Sequence, residues 1–184
     1  AIPECDINIA TYCFTAFAVH RSGKGIPFYY MQHYESLFFA DIYTRKLVDE
    51  TYLLPLHRIA NSSWLKNLLK RKFGVDSYGP VIPGVDTKVF HPRDLEENDK
   101  ILKEKESGKK VIVALGKSIR WKGIWDLFEA LKIVKQKVSN VELFLYGPEP
   151  ELSKYSPVRC RYFYKPSDDE LAKLYSMADA VVIP

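Results

Sequence analysis

The sequence predicts an α/β protein built from parallel sheets in two lobes, and three observations carry that prediction. Short runs of β-branched and aromatic residues alternate with amphipathic stretches of helical length, the pattern of strands joined by helical crossovers. One run, Val111–Leu115, reads as a buried strand that enters a glycine turn and then an amphipathic helix. Between the halves lies a charged segment, Arg93 to Lys110, nearly free of aromatics and expected to be a helix or linker. The expected organisation is therefore a first lobe over 1–92, a boundary over 93–110 and a second lobe over 111–184.

In chain order, Asp6–Ala10 is expected to be a strand, followed by a helix from Tyr12 to His20. Pro27–Gln32 is β-rich and ends at His33. Tyr43 to Leu54 reads as a helix and Arg58–Ala60 as a short buried strand. Ser62 or Ser63 then caps a helix whose apolar side is Trp64, Leu65, Leu68, Leu69 and Phe73. Lys70, Arg71 and Lys72 suit its negative end and Gly74 stops it. Tyr78 to Ile82 is expected to be another strand, with a turn at Pro83-Gly84. In the second lobe, a helix from Gly123 to Val138 carries Leu127, Phe128, Leu131, Val134 and Val138 on one face. Strands follow at Glu142–Tyr146 and Arg161–Tyr164. Ser167-Asp-Asp-Glu170 is a capping box opening a helix with Leu171, Leu174, Tyr175 and Ala178, and Ala180–Ile183 is a last strand.

Composition narrows the function classes. Hydrophobic residues make up 47% and aromatics 14%, enough for a core and against a disordered chain. Against 27 Lys and Arg stand 23 Asp and Glu, a net charge of +4. That excess fits phosphate-bearing ligands or a peripheral membrane contact and is too small to argue for nucleic acid. The basic clusters at Lys66–Lys72 and Lys100–Lys110 read as solvated helix faces. Cys5, Cys13 and Cys160 are odd in number and widely spaced, which argues against a disulfide framework or zinc site and for a reducing, cytoplasmic setting. No apolar run approaches the ~18 residues that span a bilayer.

The chain carries no Gly-x-Ser-x-Gly elbow, no Gly-x-Gly-x-x-Gly and no Walker loop, so hydrolase, dinucleotide and P-loop readings lose support. What it carries is Gly116-Lys117-Ser-Ile-Arg-Trp-Lys122-Gly123 directly after a buried strand. Ligands of parallel α/β sheets bind outside the carboxyl ends of the strands. Two lysines there, beside a glycine that admits close backbone approach, suit a polyanion such as a diphosphate. The alternative is a pair of exposed loop lysines. Gly147-Pro148 ends another strand, either to let the chain pass close to a ligand or simply as a turn. His33 ends the Pro27–Gln32 strand, where it could bond a ligand hydroxyl or merely satisfy the structure. Glu35 reads as a carboxylate at a helix N-terminus rather than a base.

Taken in order, Val81-Ile-Pro-Gly-Val-Asp-Thr-Lys-Val-Phe90, the Gly116–Gly123 loop, Leu145-Tyr-Gly-Pro148 and Asp168–Pro184 resemble the nucleotide-sugar-dependent glycosyltransferases of family 4. The resemblance implies the GT-B fold, two Rossmann-like lobes, both incomplete over 184 residues, because two full lobes take roughly 150 residues or more each. The chain is thus expected to be the central part of a longer enzyme and inactive by itself. The family's acceptor loop would precede Ala1, and its pair of glutamates would follow Pro184. By the same resemblance the parent is a retaining transferase moving a sugar from a nucleoside-diphosphate sugar to a glycan, lipid or other acceptor, with no metal and no cofactor. Its catalytic residues would be His33, Lys117 and Lys122, and its donor-binding residues Gly116, Lys117, Lys122, Gly147, Lys165 and Pro166. Gln32-His33-Tyr34-Glu35 is similar to rhamnosyltransferase-like members. Three departures stand out: Lys117 replaces the usual arginine, Tyr164 the usual glycine, and Pro83-Gly84 lacks the asparagine between them. A nucleotide-sugar epimerase or phosphorylase of the same architecture, or a non-catalytic nucleotide-binding module, are the alternative readings.

Overall fold

A computed structural model describes residues 2–94, 101 and 108–184. The expected helix or linker over 93–110 therefore lies, for 95–100 and 102–107, outside the described residues. The chain divides into two compact units, Ala1–Gly84 and Val85–Pro184. Each contains a parallel sheet, as the alternation of strands and helices requires.

The first unit pairs β1 (Ile7–Ala10), β2 (Ile26–Met31) and β3 (His57–Ala60) in that order, with Ile9 opposite Phe28 and Tyr30 opposite Ile59. The crossovers are α1 (Cys13–Ser22) and α2 (Ile42–Thr51), and α3 (Ser63–Phe73) follows β3. Their inward residues, among them Ala16, Val48, Leu65 and Leu69, close over Tyr29, Met31 and Ala60 as one core on one face of the sheet. Ser62 is the cap of α3, its hydroxyl accepting from the Leu65 N–H at 3.2 Å, and Gly74 ends it in the left-handed conformation. Trp64, expected on the apolar side, is exposed. It lies a third of a turn from Leu65, and the contact stripe is narrow enough to take Leu65 and Leu69 without it.

The strand expected over Tyr78–Ile82 is not formed. Tyr78 makes one bridge to Ile59, with hydrogen bonds from the N–H groups of Tyr78 and Val81 to the carbonyls of Arg58 and Ala60. Pro80 has no N–H to donate, which breaks the ladder after a single rung.

The second unit contains β4 (Lys110–Leu115), α4 (Ile124–Lys137), β5 (Val141–Gly147), β6 (Arg159–Tyr164), α5 (Asp168–Met177) and β7 (Ala180–Val182). All strands are parallel, in the order β6-β5-β4-β7. Ser167 and Glu170 form the expected capping box, each accepting from the other's backbone N–H. The two helices take opposite faces: Leu127, Phe128 and Leu131 of α4 pack with Leu143 and Leu145, whereas Leu174 and Met177 of α5 pack with Val111, Val113 and Phe144. β5 is the central, almost wholly buried strand. Its Glu142, fully buried, is flanked by Arg159 at 3.6 Å and Arg161 at 4.0 Å. This ion pair lies at the amino end of the sheet, away from the loops considered next.

Candidate functional site

In the second unit the chain steps outward from β4 to β5 to β6, then returns through α5 to place β7 on the other side of β4. Strand order therefore reverses between β4 and β7, and crevices at such reversals, outside the carboxyl ends of the strands, are where open α/β sheets bind ligands. The loop leaving β4 there is Gly116–Gly123. It begins with the Gly116 N–H donating to the Tyr146 carbonyl at 2.8 Å and ends in a single 3-10 turn, Arg120–Lys122. Gly123 has φ +61 and lies against the end of β7, where a β-carbon would come within 2.4 Å of the Pro184 β-carbon. Only glycine lets the loop turn into α4 at that point.

Most of the sequence-predicted donor residues fall along this edge. Gly147, at φ +141, sits so close to the neighbouring strand end that a β-carbon would meet the Gly116 carbonyl at 2.8 Å. Its own carbonyl accepts from the Lys165 N–H at 3.1 Å. Gly116, Gly147 and Lys165 thus form a row across the ends of β4, β5 and β6. Lys117 is half-buried beside Gly116, Lys122 is exposed as the last residue of the 3-10 turn, and Pro166 is half-buried ahead of the α5 cap. Lys165 has a positive φ of 44, uncommon for a side-chain-bearing residue, and its ammonium lies 5.3 Å from the Tyr164 ring.

Two residues at this edge are not singled out by sequence reasoning. Tyr162 lies under both glycines, and its hydroxyl accepts from the Glu149 N–H at 2.8 Å. The Glu149 carboxylate in turn accepts from the Ser118 N–H at 3.0 Å. Hydrogen bonds from Ser118, with Lys117 nearby, hold this carboxyl below its ordinary range. The available signal was a carboxylate set between Pro148 and Pro150 directly after a strand.

In the first unit His33 follows β2 at its carboxyl end. It is exposed, and its ring meets Phe38 edge-on at 5.2 Å. Amide side chains line the same edge: Gln32 donates to the Thr11 carbonyl at 3.3 Å, and Asn61 to the Gln32 carbonyl at 2.7 Å. Glu35 is buried, accepting from the Cys13 N–H at 2.6 Å and the Tyr29 hydroxyl at 3.3 Å. It is a carboxylate at the N-terminus of α1, satisfied by a helix amide and a phenol. Among the described residues no three His, Cys, Asp or Glu side chains are grouped to hold a metal ion, and no helix is long and apolar enough to cross a membrane.

Comparison with known proteins places this fold. The chain resembles sucrose-phosphate synthase from Thermosynechococcus elongatus with a TM-score of 0.74 and 16% identity, over 97% of this chain and 50% of that one. It resembles a glycosyltransferase from Rickettsia africae with a TM-score of 0.60 and 16% identity, over 96% and 50%. At such identities the likeness is one of fold: two parallel-sheet α/β lobes shared with solved glycosyltransferases. The chain spans about half the length of these structures. In sequence, 93 residues are 33% identical to the O-antigen biosynthesis protein RfbC of Myxococcus xanthus, covering 50% of this chain and 7% of that protein. No family model matches.

Proposed function

We propose that this chain is part of a retaining glycosyltransferase of GT-B architecture, in family 4, which transfers a sugar from a nucleoside-diphosphate sugar to a glycan, lipid or other acceptor. The observation that carries the reading is the lysine-bearing glycine loop at the point of strand-order reversal, in a fold shared with solved glycosyltransferases. The likeness to an O-antigen biosynthesis protein supports a role in carbohydrate assembly.

In this reading the donor diphosphate lies along Gly116, Gly147, Lys165 and Pro166. Lys117 and Lys122 stabilise the negative charge that grows on it as the bond to the sugar breaks, which is electrostatic catalysis without a metal. Lys117 acts as a point charge and not as the planar fork an arginine would supply. The acceptor hydroxyl attacks the face the diphosphate leaves, the bond to the diphosphate breaks and the hydroxyl proton passes to the departing phosphate oxygen, so configuration is retained and no protein nucleophile is needed. His33 is the proposed hydrogen-bonding group for a sugar hydroxyl, which would fix the orientation of the ring.

The test is calorimetric titration of UDP and GDP into the wild-type chain and Lys122→Met, which keeps the apolar stem and removes the charge. A charge pair at ~4 Å is worth about 1 kcal/mol in water and about 4 kcal/mol at an effective dielectric of ~20. The substitution is expected to weaken binding about tenfold or more. Equal affinity in the two proteins, or binding in neither, would overturn the assignment of this loop.

A further inference from the structure

The contact between Glu149 and the Gly116–Gly123 loop has a role beyond the loop's own architecture. Its carboxylate oxygen lies 3.0 Å from the Ser118 nitrogen, so it takes the amide immediately after Lys117. That amide is one of the donors a phosphate oxygen would use, since oriented backbone N–H groups beside lysines are what a diphosphate needs. The carboxylate is held there from two sides. Glu149's own N–H donates to Tyr162, whose ring also backs Gly116 and Gly147, so the anchor is shared by the whole strand edge. Pro148 and Pro150 on either side restrict the backbone. The group is an anion held on a backbone amide of the lysine-bearing loop.

We infer that Glu149 is an affinity-determining residue of the donor site: its carboxylate occupies the Ser118 amide in the free protein and is displaced by, or repels, the incoming diphosphate. This rests on the donor-site reading above. Hydrogen bonding from Ser118, with Lys117 close by, keeps Glu149 ionised at neutral pH, so the competition is present under working conditions. An anionic gate of this kind lowers affinity. A ligand must take the Ser118 amide from this carboxylate and bear its repulsion, so the wild-type site binds anions more weakly than the loop and its lysines would alone.

The decisive variant is Glu149→Gln, whose amide oxygen still accepts from Ser118 while the charge is gone. Glu151→Gln removes the same charge two residues on from an exposed side chain and serves as the control. Titrating UDP, GDP and inorganic pyrophosphate into the three proteins is expected to give affinities about three- to tenfold tighter for Glu149→Gln and changed less than about twofold for Glu151→Gln. Inorganic phosphate, titrated alongside them, is expected to gain less than the diphosphates, because repulsion by a fixed carboxylate grows with the charge of the ligand. Wild-type binding with unchanged or weaker affinity in Glu149→Gln would overturn the gate alone and make Glu149 a loop support or a direct ligand of the nucleotide. Equal tightening in both variants would also overturn it, by reducing the effect to net charge. No binding in any of the proteins would overturn the gate together with the donor-site reading.

Discussion

Cys13 and Glu35 show how a single residue is set by neighbours far along the chain. The Cys13 amide opens α1 and donates to Glu35, while the side chain points into the core. Burial, and then the hydrogen bond and charge of Glu35, push the Cys13 thiol up to about 12. A free thiol ionises near 8.5, so above that pH the unfolded chain releases a proton that the native state retains. Stability contributed at this site is complete below ~8.5 and falls as pH rises from there towards about 12. A thiol reagent at pH 8 is expected to label exposed Cys5 quickly, Cys160 slowly, and Cys13 only as fast as the protein unfolds. Rapid native labelling of Cys13 would contradict this placement.

At the scale of elements, the junction between the Gly116–Gly123 loop and α4 couples stability to the candidate site. Gly123 ends the 3-10 turn that carries Lys122, serves as the residue before α4, and packs on Pro184. Gly123→Ala places a side chain in the left-handed region, a cost of roughly 1–2 kcal/mol, and adds an overlap with Pro184 that the backbone must relieve by moving. The expected outcome is a loss of about 2 kcal/mol or more in denaturant unfolding, together with weaker nucleoside-diphosphate binding. Lys122→Met is expected to lose binding with stability changed by less than ~0.5 kcal/mol. If Gly123→Ala left both stability and binding intact, the close packing of loop and β7 would be wrong.

At the scale of the whole molecule, the donor-site reading proposed above expects the 184-residue chain to bind UDP or GDP, which calorimetric titration checks. Much of the architecture was legible in the sequence because its signals are local. Helical and strand periodicity, the Ser62 and Ser167 caps, the Gly74 stop and the glycine-lysine loop all act over a few residues, and each lies where the pattern put it. Local signals failed where the outcome depended on a partner strand or face. Tyr78–Ile82 has strand-like residues, yet Pro80 cannot join the ladder, and Trp64 has the character of a core residue but is exposed. The reversal of strand order between β4 and β7, the Tyr162 support beneath two glycines, and the hold of Glu149 on Ser118 were decided by tertiary structure alone. They join residues from separate strands. Periodicity and propensity specify which way a residue faces within its own element, whereas the neighbour it meets is fixed only when the sheet assembles.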